Sequence, residues 1–260
     1  MNVDEVLDRV RHTGSREPTF DTLRSLQHAF LESVPFENLD IHTGQRISLD
    51  SSRIYEKIVG RRRGGFCYEC NGLFAELLAS LGYTVSRLSA RMALGGKIGP
   101  EFDHMVLLVS LDREYLADVG NGRSVRDPLS LEGDETSEAE GVEYRVGAHA
   151  EDYALYYREA GSDWLPRFLF STIPREQSEY SEMCEYHQTS PQSTFTQKRL
   201  ATIATPQGRI TLLDSRLIEV NGAERKEQEL ASEDEVLRFL RSRFGIKLAD
   251  ADSRPVQHGK

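Results

Sequence analysis

The chain has 260 residues, 38% apolar and 28% charged, which is enough for one large catalytic unit with an appended lobe or for two domains. A formal net charge of −10 argues against nucleic-acid backbones and anionic membrane surfaces as principal partners. The longest strongly apolar run, Met105-Val106-Leu107-Leu108-Val109, falls far short of the roughly 20 residues that span a bilayer.

The opening Met1-Asn2-Val3-Asp4-Glu5 is acidic and lacks both a basic and an apolar leader region, so a mature cytoplasmic protein is expected. Phe20, Leu23, Leu26 and Phe30 recur at helical spacing, with Thr19 placed to cap their first turn. A proline interrupts Val34-Pro35-Phe36-Glu37-Asn38-Leu39, which reads as a connector. A second helix is expected over about 50–59, where Ile54 and Ile58 lie four apart. The clearest helix carries Leu73, Phe74, Leu77, Leu78 and Leu81 and stops at Gly82, which puts Cys67 at or near its N-terminus.

Strand texture begins at Tyr83. Two short strands, the Met105 run and Glu114-Tyr115-Leu116-Ala117-Asp118, flank a polar turn near Asp112. Residues 132–140 read as an exposed acidic loop. Further strands fit 200–204, 210–213 and 217–220, with turns at Pro206-Gln207-Gly208 and Asn221-Gly222. A last helix starts at Ser232, with Glu235 completing a capping box, and ends before Gly245. Helices followed by strands and then a mixed tail indicate an α+β arrangement, not a Rossmann-type alternation.

The chain holds three cysteines, an odd number that excludes a secreted disulfide scaffold and fits reduced thiols. A helix N-terminus favours a thiolate through its unpaired N–H groups and dipole, so Cys67 is a candidate nucleophile. His104 heads one strand and Asp118 ends the next. In an antiparallel hairpin such residues come close, although a one-residue slip of register would put them on opposite faces. If they meet, the carboxylate fixes one imidazole tautomer, and the other ring nitrogen takes the thiol proton.

At this point the chain resembles the arylamine N-acetyltransferases. Arg63-Gly64-Gly65-Phe66-Cys67-Tyr68-Glu69-Cys70-Asn71 is similar to the signature around that family's acetyl-accepting cysteine. The segment from Val34 to Leu39, the His104 strand, and Tyr115-Leu116-Ala117-Asp118-Val119-Gly120-Asn121-Gly122 are similar to three further family motifs. The resemblance implies an N-terminal helical bundle (1–82), a central β-barrel-like domain (83–190) and a C-terminal α/β lid (191–260). It also implies a Cys67–His104–Asp118 core of papain and transglutaminase type, acetyl-CoA as cosubstrate, and passage of the acetyl group from Cys67 to an arylamine or hydrazine.

Phe36, Phe66 and Phe102 are candidate walls of the acceptor pocket. Gly120, Gly122, Thr189, Ser190 and Ser193 are candidate acetyl-CoA contacts. No metal, nucleic-acid or membrane partner is expected, and the protein is expected to be a monomer or a weak homo-oligomer. Asn121 stands where the family usually has phenylalanine, and Cys70 where leucine is common; the first bears on acceptor preference. Three readings compete with acetyl transfer. They are a cysteine hydrolase or transglutaminase-like enzyme, an amide synthase of natural-product biosynthesis, and a redox or zinc protein using Cys67-x-x-Cys70. Only three cysteines and no second metal-ligand pair argue against zinc. Cys70 would lie near the Cys67 face of the helix, where it is expected to trap oxidised Cys67 as a disulfide.

Overall fold

A computed structural model describes residues 1–133 and 135–248. Helix α1 (Val3–Arg9) is capped by the Asn2 side chain, and α2 (Phe20–Ser33) by Thr19, whose Oγ1 accepts from the Thr22 N–H at 3.3 Å. Strand β1 (Phe36–Glu37) and the short α3 (Leu39–Thr43) follow. Helix α4 (Ser51–Tyr55) then continues as a π-helical turn over Glu56–Gly60, where the sequence predicts one uninterrupted α-helix. Helix α5 (Cys67–Ser80) starts at the nucleophile candidate. The apolar faces of α1, α2, α4 and α5 meet in one cluster around Leu23, Phe30, Phe74 and Leu77.

The middle of the chain forms a nine-stranded antiparallel sheet. Its strands are β2 (Thr84–Leu94), β3 (Lys97–Ile98), β4 (His104–Ser110), β5 (Glu114–Ala117), β6 (Leu129–Ser130), β7 (Ser137–Ala139), β8 (Val142–His149), β9 (Asp152–Glu159) and β10 (Leu165–Arg175). It curls into a nearly closed, barrel-like form around Leu88, Val106, Leu116, Val146, Leu155 and Phe168, and β6 approaches β8. Helices α6 (Ser181–Thr189) and α7 (Thr194–Gln197) lead into β11 (Leu200–Thr205), β12 (Gly208–Leu213), β13 (Arg216–Asn221) and β14 (Glu224–Glu229). Helix α8 (Glu233–Phe244) closes the described chain; Ser232 caps it and Gly245 ends it in the left-handed conformation at φ 69°.

This second sheet has the order β1-β11-β12-β13-β14, so its edge is supplied by the N-terminal connector. Phe36 pairs with Thr202 and Glu37 with Ala201. The proline-broken segment read as a plain connector therefore fastens the helical part to the last sheet. Asn38 completes the joint: its amide donates to the Phe195 and Lys198 carbonyls and its Oδ1 accepts from Leu200 N–H.

One expectation is overturned. Within 132–140, apart from Asp134, which lies outside the described residues, Glu132, Glu135 and Thr136 are exposed and outside any strand as expected, but 137–140 is not an exposed loop. Ser137 and Ala139 are buried in β7, which pairs with β8. The Glu140 side chain is 5% exposed and is held by Arg126 at 3.1 Å and Arg209 at 3.0 Å. A buried carboxylate requires such partners, and these come from sequence positions that a local reading does not connect. Strand β14 is one of several elements, with β8, β9 and β10, that the sequence analysis does not give. Glu224–Glu229 carries no apolar residue and is exposed throughout, a polar edge that gives no hydrophobic alternation to read.

Candidate active site

Helix α5 begins above a buried charge cluster. Lys57 lies 2.7 Å from Asp40 and 2.8 Å from Glu69, and Arg63 lies 2.8 Å from Glu37 and 2.7 Å from Asp40. Burial works against the Lys57 charge, but Glu69, Glu37 and Asp40 outweigh it and hold the ammonium above its ordinary range. Glu69 also accepts the Phe66 N–H at 3.1 Å, the one half of a capping box that a phenylalanine N-cap allows, and this ties down the first turn. Beneath them Arg9 donates to the backbone carbonyls of Ile58, Ser33 and Arg63, and its burial lowers its pKa to about 10. The charged residues around the glycine pair are therefore a foundation for the helix start and do not face the substrate.

Cys67, at the first position of α5, lines a cleft of about 1540 Å³ together with His104, Asp103, Asn121, Arg167 and His187. Burial pushes its thiol well above the ordinary cysteine range, and the Asp118 charge adds to this; the Met105 backbone N–H opposes it. Burial thus works against the helix terminus, which favours the thiolate, and a base beside Cys67 assists its ionisation.

The base candidate is placed by sheet register. Leu107 faces Ala117 and Leu108 faces Leu116 across β4 and β5, which sets His104 and Asp118 on the same face as diagonal neighbours. His104 Nε2 lies 2.9 Å from Asp118 Oδ2, with both residues buried. A carboxylate only accepts, so Nε2 carries the proton and Nδ1 is left as the basic nitrogen. The other oxygen, Oδ1, accepts from Asn71 Nδ2 at 2.9 Å and from the Gly120 N–H at 2.8 Å. Asn71 also donates to the Met105 carbonyl at 2.7 Å and accepts from the Val119 N–H at 2.9 Å. It stands one helical turn beyond Cys67, a spacing that puts both on one face of α5. Asn71 belongs to the motif around Cys67, where the sequence alone assigns it no role.

The remaining candidates divide. Phe36 lines the cleft, whereas Phe66 and Phe102 do not. Phe66 is fully buried behind it against Tyr68, His187 and Phe195, and Phe102 packs edge-on to Tyr180. Gly120 and Gly122 line the cleft, but the protein itself explains the missing side chains. A Cβ on Gly120 would stand 2.7 Å from Cys67 Cα, and one on Gly122 would stand 3.0 Å from Thr202 Cγ2. Ser193 lines the cleft and caps α7. Thr189 and Ser190 lie outside the lining; Thr189 bonds back to the Glu185 carbonyl within α6.

Cys70 is buried in the helical-bundle cluster, with its Sγ 3.3 Å from the Gly65 carbonyl, while Cys67 belongs to the cluster bordering the cleft. All three cysteines are free thiols. Among the described residues no group of His, Cys, Asp or Glu is arranged to hold a metal ion, and no helix is long and apolar enough to cross a membrane.

The chain is similar to known proteins over most of its length. A family model described as N-acetyltransferase matches residues 19–253. An arylamine N-acetyltransferase of Mycolicibacterium smegmatis is 33% identical, covering 99% of this chain and 96% of the relative. One from Escherichia coli K12 is 31% identical over 94% of this chain and 88% of its own length. The solved structure of the Mycobacterium marinum arylamine N-acetyltransferase in complex with CoA superposes with a TM-score of 0.88 at 31% identity, covering 96% of this chain and 94% of that one. The chain belongs to the arylamine N-acetyltransferase family.

Proposed function

We propose that the enzyme moves an acetyl group from acetyl-CoA to the amine of an arylamine, an arylhydrazine or an N-hydroxyarylamine in two steps through acetyl-Cys67. The observation that carries this reading is the His104–Asp118 contact at 2.9 Å, with His104 lining the same cleft as the buried Cys67. Residues 1–82 then bring the nucleophile, 83–190 the base and its carboxylate, and 191–260, described as far as 248, the closing side of the cleft. The Cys–His–Asp order is that of a papain or transglutaminase core.

In the first step His104 Nδ1 takes the proton of Cys67 Sγ, and the sulfur attacks the thioester carbonyl. The tetrahedral adduct collapses, the CoA thiolate leaves, and the imidazolium returns the proton to it. In the second step the acceptor amine attacks acetyl-Cys67 and loses a proton to Nδ1, and Cys67 departs as the thiol. Asp118 stabilises the imidazolium in both steps without taking the proton. Acetyl-Cys67 forms only as the bond between the acetyl carbon and the CoA sulfur breaks, so CoA is the first product and departs before the amine is acetylated.

For acetyl-CoA, the part of the cleft formed by Gly120, Gly122 and Ser193 leaves backbone within reach of the acyl arm. Incubated with acetyl-CoA alone, the protein should gain one acetyl group by intact mass, and Cys67→Ser should gain none. Double-reciprocal plots should be parallel. Acetylation persisting in Cys67→Ser would remove the nucleophile assignment.

A further inference from the structure

Of the six non-glycine residues with a left-handed backbone among the described residues, Phe102, at φ 64°, is the one aromatic, and it stands two residues before His104. A bulky side chain is strained in this region because its Cβ crowds the backbone, and such strain persists only where the surroundings hold it. Both backbone polar groups of Phe102 are held by hydroxyls. Its N–H donates to Ser89 Oγ at 2.7 Å, and its carbonyl accepts from Tyr68 Oη at 2.6 Å. Ser89 is oriented in turn by donating to Glu101 at 2.7 Å. The ring is held as well, edge-on to Tyr180 with centroids 5.1 Å apart and with the Arg175 guanidinium 5.3 Å above it.

This corner bears on the site because only one strand reaches His104. The β2–β4 pairing runs as far as Ala90 opposite His104, whereas β5 pairs with β4 only from Leu107 onward. What precedes His104 therefore has to fix the rest of its backbone. Tyr68 links that segment to the other half of the site. It follows Cys67 on α5 and is fully buried, its ring 5.0 Å from that of Phe66 and 5.4 Å from that of Tyr180. Burial pushes its phenol well above the ordinary tyrosine range, so the hydroxyl keeps its proton and donates. Two side chains of α5 thus bracket His104. Asn71 takes the Met105 carbonyl after it, and Tyr68 takes the Phe102 carbonyl before it.

We propose that Tyr68 is a positioning residue for His104: its hydroxyl, with that of Ser89, holds Phe102 in the left-handed conformation, and this strained corner sets the imidazole against the sulfur of Cys67. The role rests on the reading of His104 as the base for Cys67.

The test reverses an ordinary rule of packing. If Phe102 only fills space, valine replaces it better than glycine. If its backbone conformation is what counts, glycine, which adopts positive φ freely, replaces it better than valine, whose branched side chain does not. Alkylation of Cys67 by iodoacetamide at pH 7, followed by mass, reads the thiol's access to its base without turnover, and a thermal melt beside it reports the fold. Phe102→Gly should react about tenfold faster than Phe102→Val, the scale of a sub-ångström displacement of reacting groups. Tyr68→Phe, which removes only the oxygen, should slow alkylation by about the same tenfold at pH 7. The rates should converge in the alkaline range, where bulk hydroxide replaces the imidazole. The same substitution should cost little when Phe102→Gly is already present, since glycine needs no hydroxyl to hold it.

Where His104→Gln slows the pH 7 reaction, a valine variant as fast as the glycine one, or a natural rate in Tyr68→Phe, overturns the proposal. Where His104→Gln does not slow it, the base reading falls instead, and the corner is judged from the His104 ring. In the NMR spectrum of protein with labelled histidine, Tyr68→Phe should move the His104 signals, identified by their absence in His104→Gln. Unmoved signals overturn the proposal.

Discussion

Asn71 spans the two halves of the site: one side chain donates to both Asp118 Oδ1 and the Met105 carbonyl, at 2.9 and 2.7 Å. Through it the helix that carries Cys67 is registered against the strands that carry His104 and Asp118. Replacing it with alanine should lower kcat by roughly a hundredfold, the scale of an ångström-sized misplacement of reacting groups. KM for the acceptor should change little. Steady-state kinetics beside a thermal melt separates this from loss of fold, and an unchanged kcat would leave Asn71 with no positioning role.

Asp118→Asn should keep the fold and lose on the order of 10⁴-fold in kcat. The carboxylate oxygens accept from His104, Asn71 and the Gly120 N–H, and an amide has only one oxygen to share among them. With its oxygen toward Asn71 and Gly120, its NH2 faces His104 Nε2 and forces the proton onto Nδ1. That is the wrong tautomer for a base. A pH–rate profile with a normal limiting rate would exclude Asp118 from the chemistry.

Since burial pushes the Cys67 thiol upward, its reactivity at neutral pH depends on a proton acceptor. In His104→Gln, alkylation of Cys67 by iodoacetamide should be slow at pH 7 and climb into the alkaline range as bulk hydroxide replaces the imidazole. The sign follows from the raised pKa: the neutral thiol persists to higher pH than in a free cysteine. An alkylation rate equal to that of the natural enzyme at pH 7 would contradict the base assignment.

Lys57→Met leaves the buried carboxylates of Asp40 and Glu69 without their shared cation. A stability loss of about 3–5 kcal/mol in urea unfolding is expected, as for other buried ion pairs broken on one side. Adding Glu69→Gln should recover part of it, because glutamine still offers an oxygen to the Phe66 N–H. No recovery in the double variant would show that Lys57 matters by packing alone.

Asp127 ties α2 to the barrel, accepting from His28 at 2.8 Å, Ser137 at 2.6 Å and Arg24 at 2.7 Å. These bonds, that of His28 foremost, hold its carboxyl far below the usual range. The stability it supplies is therefore present above about pH 4, the ordinary aspartate value, and is lost as the pH falls toward its own. Asp127→Asn should melt earlier than the natural protein at pH 7, with the gap closing in acid. A gap constant from pH 7 to pH 3 would contradict this.

What could be read from the sequence was what is local. Thr19, Gly82, Ser232 and Gly245 act through the few residues beside them, and the helices they bound appear where their chemistry puts them. The His104–Asp118 approach was visible as a hairpin, but its register was not, because one residue either way leaves the same apolar pattern. Contacts between distant segments were hidden. Nothing near Glu140 announces Arg209, nothing near Glu37 announces that it will pair with Ala201, and a bulge at Arg167 leaves no trace in composition. Asn71 was within reach, since four residues along a helix from Cys67 is the same face.

The pairing of β1 with β11 also orders events during synthesis. A nascent chain can complete its N-terminal helices and much of its barrel while Phe36 and Glu37 still await their partner strand. Leu200 and Thr202, which line the cleft, emerge only afterwards. The thiol of Cys67 is thus translated early and acquires a finished cleft late, and an incomplete chain carries the nucleophile without the full set of walls that would choose its substrate.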